Sequence, residues 1–283
     1  MGVSDGRLNQ HPSPMSDFFD THAHLDFPDF ASEVPQLIER ANAAGITRII
    51  TIGTDLESSA KAIALSDQFD GVYAVLGWHP NDALAAPDDI RPQLRELTKH
   101  PKVVAIGETG LDYYRLPSHR EGGTVEQDDV FKRKQAQLFQ QQLEVAAETG
   151  LNCMIHQRSA FADTVAMMEP FVGRVRGQFH CFVDGVAEMQ RVLAMGSLVS
   201  FTGILTFKNG QNIRDTLVAT PMGKFMLETD CPFLAPVPYR GKRCEPAYVK
   251  ELSEAVALLK GCSLEELSAA TCTTAREFFP KLK

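Results

Sequence analysis

Phe18-Phe19-Asp20-Thr21-His22-Ala23-His24-Leu25-Asp26 reads as a short buried strand that ends in a pair of histidines. Alternate residues of a strand share a face, so His22 and His24 aim two imidazoles at one point. Short apolar, β-rich runs of the same kind recur along the chain at 18–24, 47–53, 72–77, 103–108, 152–156, 177–182, 198–204 and 224–230. Amphipathic segments lie between them. Residues 34–44 place Leu37, Ile38 and Ala41 at helical spacing and stop at Gly45. Residues 131–149 set Phe139, Leu143, Ala146 and Ala147 on one side and stop at Gly150. Two closing helices are predicted at 245–260 and 263–279, the second with Ser263 and Glu266 spaced as a capping box. Eight strand–helix alternations, with strands apolar on both faces, predict an α/β protein of the (β/α)8 TIM-barrel type. The rival, an open doubly wound sheet that binds a dinucleotide, lacks its Gly-x-Gly-x-x-Gly after the first strand.

The bulk properties narrow the class. At 283 residues the chain matches a single barrel, typically about 250 residues. Residues 1–16, rich in Ser, Pro, Asn, Gln and Gly, read as a disordered leader or as sequence upstream of a start at Met15. One barrel domain is expected over 17–283. No window is apolar for the roughly 20 residues of a membrane span, and no basic-then-apolar secretion signal opens the chain. The six cysteines contain no Cys-x-x-Cys pair, which argues against a disulfide framework or zinc ribbon and for a reducing cytoplasm. Cys181 and Cys231 each follow a candidate ligand, so alternation sends both into the packing on the other face. A net charge of −8 disfavours extensive duplex binding through many phosphate contacts. It leaves room for an enzyme that grips one or two phosphates. A monomer is the default expectation.

In a barrel of this type the chemistry lies at the C-terminal ends of the strands. His22 and His24 end the first predicted strand, Glu108 the fourth, His156 the fifth and Asp230 the eighth, and the sixth carries His180. A lone histidine on an apolar strand is usually a hydrogen-bonded core residue. Six such residues at strand ends make a ligand set, and four imidazoles with two carboxylates suit Zn2+, Mn2+ or a similar divalent ion. Six ligands exceed the needs of one tetrahedral ion, and a carboxylate can bridge, so two ions about 4 Å apart are expected. Asp230 is the candidate general base, since a carboxylate touching an ion and its water can take the water's proton; the plainer reading makes it a ligand only. Glu228 faces the same way but deeper. His79, which ends the third strand, is a candidate substrate contact or a support for a ligand. The polar stretch 116–129 is read as a loop covering one rim.

These residues stand in segments that resemble the TatD-type metal-dependent hydrolases, in the subgroup of TatD-related deoxyribonucleases. The matching segments are Asp20-Thr21-His22-Ala23-His24-Leu25-Asp26, Gly77-Trp78-His79-Pro80, Gly107-Glu108-Thr109-Gly110-Leu111-Asp112-Tyr113-Tyr114, Ile155-His156-Gln157-Arg158, Phe179-His180-Cys181-Phe182, Ser200-Phe201-Thr202-Gly203, Glu228-Thr229-Asp230-Cys231-Pro232-Phe233-Leu234-Ala235-Pro236 and Arg240-Gly241-Lys242-Arg243. The resemblance runs from about residue 18 to the C-terminus, and its motifs occur in order. It implies an amidohydrolase-like barrel with one ion held by His22, His24, Glu108 and Asp230. A second would be held by Glu108, His156 and His180, with Glu108 bridging. It also implies Mg2+-dependent DNase chemistry, including removal of nucleotides from an end. Cys244 and the turn Val183-Asp184-Gly185 depart from the pattern, both near the expected substrate rim.

The expected reaction is hydrolysis of DNA phosphodiester bonds, on single strands or duplex ends, with two divalent ions (Zn2+, Mn2+ or Mg2+) activating water. Arg158, Arg240 and Lys242 are candidate phosphate clamps, and Tyr113 and Tyr114 candidate stacking residues for a base. A small-molecule amidohydrolase, esterase or phosphoesterase on the same scaffold is the alternative, because a fold does not fix its substrate. A non-enzymatic protein with a structural or vestigial metal site is disfavoured by the completeness of the ligand set.

Overall fold

Eight parallel strands follow one another around a single sheet in chain order: β1 (Phe18–Ala23), β2 (Ile46–Ile52), β3 (Val72–Leu76), β4 (Val103–Asp112), β5 (Asn152–Arg158), β6 (Gly177–Phe179), β7 (Leu198–Phe201) and β8 (Phe225–Leu227). The computed structural model describes residues 16–283, so the expected leader lies, Ser16 apart, outside the described residues. β8 returns to β1 through one bridge, Ala23 with Cys231. Beside it the His24 N–H donates to the Cys231 carbonyl and the Asp230 N–H to the His22 carbonyl, both at 2.9 Å. The sheet is thus a nearly closed (β/α)8 barrel, as the alternation of elements predicted.

The helices α1 (Val34–Ala43), α2 (Leu56–Gln68), α3 (Arg91–Leu97), α4 (Val125–Thr149), α5 (Phe161–Met168), α6 (Val186–Ala194), α7 (Gln211–Ala219), α8 (Val249–Lys260) and α9 (Leu264–Phe278) alternate with the strands. Their apolar faces and the outward strand residues form the larger core, which includes Leu37, Ile106, Phe139, Val165 and Phe201. The predicted cap of α9 is present: Ser263 and Glu266 each accept the other's backbone N–H. α4 begins six residues earlier than the apolar spacing suggests, because Thr124 and Gln127 form a capping box ahead of a polar first turn. Its start takes up residues 125–129 of the stretch read as loop.

A second, smaller core fills the lower barrel. Phe19, Ile50, Ile52, Tyr73, Val75, Val104, Met154, Leu198 and Met226 meet there, and Phe278, Phe279 and Leu282 from the end of α9 cap the cluster. Above it the interior turns polar. The Gln178 side-chain amide lies 3.0 Å from Thr21 Oγ1, 3.0 Å from Ser200 Oγ and 2.9 Å from Glu228 Oε2.

Two irregularities decide what faces the upper barrel. Between Asp20 and Ala23, β1 spends three steps where β2 spends two; between Ile106 and Thr109, β4 does the same against β5. An extra residue in a strand flips the inside–outside alternation beyond it. The first bulge lets Phe19 and His22 both face inward, and the second turns Glu108 to the inner face. Gly110, with φ +136°, follows the second bulge, and any side chain there would run into the His156 backbone of β5.

Candidate active site

The upper mouth opens into a cleft of about 760 Å3 lined by residues at or beyond the ends of all eight strands. His22 and His24 leave β1 with their Nε2 atoms 3.2 Å apart. His22 Nε2 lies 3.5 Å from Glu108 Oε2 and 3.5 Å from Asp230 Oδ1. His24 Nε2 lies 3.7 and 3.5 Å from the same two oxygens. A tetrahedral ion with bonds of about 2.0–2.1 Å spaces its ligands ~3.3–3.4 Å apart. His22, His24 and Asp230 therefore form one ion-sized group, with Glu108 Oε2 within 3.5 and 3.7 Å of its two nitrogens.

The other Glu108 oxygen looks the opposite way. Oε1 lies 2.8 Å from His156 Nδ1 and 2.8 Å from His180 Nε2, and those nitrogens are 3.3 Å from each other. Glu108 thus turns one oxygen to each of two groups of nitrogen ligands. Burial pushes its carboxyl upward, but His180, His79 and His156 more than offset this and hold it well below the ordinary range. Asp230 behaves alike: burial raises it, and His24, His22 and His180 win and keep it ionised. For His22 burial is the largest effect, and with His180 stacked on it at 4.1 Å it titrates down near 4. Ionised carboxylates and a neutral imidazole are the forms that bind a divalent ion. Burial lowers His24, His156 and His180 too, but the facing carboxylates more than offset it and raise all three, His156 to about 9, so an ion there would displace protons.

His79 reaches the same place, its Nε2 3.4 Å from Glu108 Oε1 and 3.3 Å from His156 Nδ1. Its Nδ1 accepts the Asn81 backbone N–H at 3.0 Å. The neutral ring then carries its proton on Nε2, so His79 faces the cleft as a donor rather than a metal ligand.

The six sequence-predicted ligands, His22, His24, Glu108, His156, His180 and Asp230, all meet in this cluster, although the short strands β6 and β8 end before His180 and Asp230. Asp230, at φ +58°, sits in the turn that follows β8, where its N–H is held by β1. Glu228 lies beneath, fully buried, accepting the Cys181 N–H at 2.6 Å with Oε1 3.8 Å from His180 Nδ1. Arg158 lines the rim, its guanidinium 3.8 Å from the ring centre of Tyr114. Tyr113 instead donates its hydroxyl to Asp163. Arg240 lies over Phe207 at 4.3 Å and Lys242 near Tyr239 at 5.8 Å; neither lines the cleft. Cys231 is buried as expected, but Cys181 borders the cleft: β6 stops at Phe179, and Cys181 at φ +45° no longer follows strand alternation.

Sequence reasoning missed Asp112. Its Oδ2 accepts the His156 Nε2–H at 3.1 Å, which leaves Nδ1 bare toward Glu108. Its other oxygen takes the Tyr114 and Arg115 N–H groups. The available signal was its place four residues beyond Glu108 on one strand. Arg115, Arg120, Phe27 and Phe233 also line the cleft from loops whose course the sequence does not reveal.

A barrel whose upper mouth gathers histidines and acids into ion-sized groups is that of a metal-dependent hydrolase. The family described as TatD related DNase matches residues 19–280, and the chain belongs to that family. It is 37% identical over 262 residues to the metal-dependent hydrolase YabD of Bacillus subtilis, covering 92% of this chain and 98% of that one. It is 32% identical over 268 residues to the 3'-5' ssDNA/RNA exonuclease TatD of Erwinia tasmaniensis, covering 92% and 99%. The crystal structure of the TatD homologue YjjV from Escherichia coli superposes with a TM-score of 0.84 at 27% identity, over 94% of this chain and 99% of that one. Among the described residues no helix is long and apolar enough to cross a membrane.

Proposed function

We propose that this protein is a nuclease that removes nucleotides from the 3′ end of single-stranded DNA by phosphodiester hydrolysis, using two divalent ions. The observation that carries the reading is the Glu108 carboxylate, with one oxygen toward His22, His24 and Asp230 and the other toward His156 and His180. The name of the Erwinia relative, a 3'-5' ssDNA/RNA exonuclease, supports the substrate and its polarity. The three rim arginines support a polyanion over a small ester. When bound, the ions supply activated water at neutral pH and offset the charge that builds on the phosphoryl group.

The chain's own residues do the rest. Asp230, beside the His22–His24 group and open to the cleft, takes the proton of the attacking water. His79 donates from Nε2 to a phosphate oxygen, and Arg158 holds a neighbouring phosphate through its planar fork. Asp112 keeps the ring of His156 in place through its hydrogen bond, and Glu228 sets a carboxylate oxygen 3.8 Å beneath His180 Nδ1. Residues 17–283 act as one domain, as a monomer in the cytoplasm. Arg240 and Lys242, outside the cleft lining, would reach only a longer strand.

The test is hydrolysis of an end-labelled single-stranded oligonucleotide by metal-stripped protein, with Mg2+, Mn2+ or Zn2+ restored and Glu108→Ala as control. A ladder shortening from the 3′ end in wild type alone is the expected result. Intact oligonucleotide with protein that still binds two ions per chain would overturn the reading in favour of a small-molecule ester or amide.

A further inference from the structure

The cleft wall has two unlike halves. The loops after β6, β7, β8 and β1 line it with Val183, Ile204, Phe233, Leu234 and Phe27; the loop after β4 and the end of β5 line it with Arg115, Arg120 and Arg158. Barrel order puts these halves on opposite sides, with the Glu108 cluster between them.

On the apolar side, Phe27 stacks on the ligand histidine His24 at 4.7 Å, and Phe233 meets Phe27 edge-on at 5.8 Å. Phe233 is 50% exposed, an uncommon state for a large aromatic side chain beside a polar site. The apolar side chains Val183, Ile204, Phe27 and Leu234 around it carry no hydrogen-bonding group that could read a base edge.

On the other side the cations are free. Among the described residues, Arg115, Arg120 and Arg158 have no carboxylate within ion-pair distance, whereas the nearby surface arginines Arg91 and Arg95 are neutralised by Asp89, Glu144 and Glu148. Arg158 has its flat face on Tyr114, which leaves its donor edge for an anion. The Tyr114 face it covers is then not available to a base.

Resting on the nuclease reading, we propose that the cleft holds a single strand in a fixed direction: the base of the terminal nucleotide stacks on Phe233, and the phosphates that follow it lie on Arg115, Arg120 and Arg158. A half-exposed aromatic face suits the base at a strand end, and three cations on the opposite wall suit the repeating charges behind it. Aromatic stacking accepts every base, so the enzyme discriminates a base from no base, and little between bases.

The test compares wild type, Phe233→Ala, Phe233→Trp and the double variant Arg115→Ala/Arg158→Ala. The substrates are single strands of about a dozen nucleotides, with a natural or an abasic 3′-terminal nucleotide, and a dinucleotide. Wild type should prefer the natural end by roughly five- to a hundredfold in kcat/KM, the range of one stacked base. Phe233→Ala should bring the ratio of natural-end to abasic-end kcat/KM to about one, while Phe233→Trp keeps the preference. The arginine variant should lose more on the long strand than on the dinucleotide, so that the advantage of length shrinks; an unchanged ratio of the two rates would overturn the phosphate track. That variant's log kcat/KM should fall less steeply with log salt, by about 0.7 per phosphate contact removed. Metal-dependent cleavage with no preference for a terminal base, or equal loss on both ends in Phe233→Ala, would overturn this assignment and leave the nuclease reading standing. No cleavage of any strand by wild type would overturn both.

Discussion

Asp112 acts one bond away from the chemistry, and its contribution separates into charge and geometry. Asp112→Ala removes the acceptor that fixes the His156 ring and should weaken ion binding about 10–100-fold, whereas Asp112→Asn keeps an oxygen for the same hydrogen bond and should lose less. Competition with a chromophoric chelator reads both, and equal affinity in wild type and Asp112→Ala would discard the positioning role. For Asp230 the expected outcome is different. Asp230→Asn should leave the circular dichroism spectrum unchanged and reduce turnover by roughly 10²–10⁴-fold, the usual worth of a general base; full activity would remove it from that role. Residues such as His22, His156 and Asp230 could be read from the sequence because an ionisable side chain at the end of an apolar run is conspicuous. Asp112 could not, since Thr109, Gly110 and Leu111 do not look like four more residues of a strand. Arg115 and Phe233 belong to loops, where no periodicity says which way a side chain turns.

Helix α4 is the element that holds the upper barrel in register. Gln135 accepts the Asp112 N–H and donates to the Asp112 carbonyl, and Gln142 does the same at Trp78. Each glutamine satisfies a backbone pair that the sheet leaves open at its rim. Gln142→Leu leaves two buried backbone groups unpaired and should lower the unfolding free energy by roughly 2–4 kcal/mol in urea titrations. Gln135→Leu should match that loss and also loosen Asp112, so its ion affinity should drop where that of Gln142→Leu does not. An affinity change shared equally by the two variants would refute the link through Asp112. The existence and order of the strands were legible because apolar runs of four to eight residues alternate with helical spacing. The bulges in β1 and β4 were not, because a single extra residue leaves no compositional trace while reversing every face beyond it.

Across the whole molecule, the barrel is apolar below and ionic above. His22, His24, His156, His180, Glu108 and Asp230 crowd together within reach of water on one side only, and an ion binds this folded arrangement and not the unfolded chain. Stripping ions with a chelator should therefore lower the melting temperature by about 5–10 °C, and restoring Zn2+ or Mn2+ at a hundred times its Kd should recover it. A melting temperature indifferent to chelation would mean that the cluster is held by protons instead. The net charge of −8 was informative in the same way: it ruled against a broad cationic surface but could not disclose three unpaired arginines gathered at one rim.

The cap made by Phe278, Phe279 and Leu282 gives the barrel a further property, because it turns a tube into a dead end. On the proposed nuclease reading, ion, water, incoming strand and departing nucleotide would share one doorway and use it in turn. A strand seated across that doorway bars a chelator, and a chelator can act only in the gaps between substrates. Saturating oligonucleotide with a non-hydrolysable end linkage should thus slow metal loss in stopped-flow chelation, making the enzyme most vulnerable when it is idle.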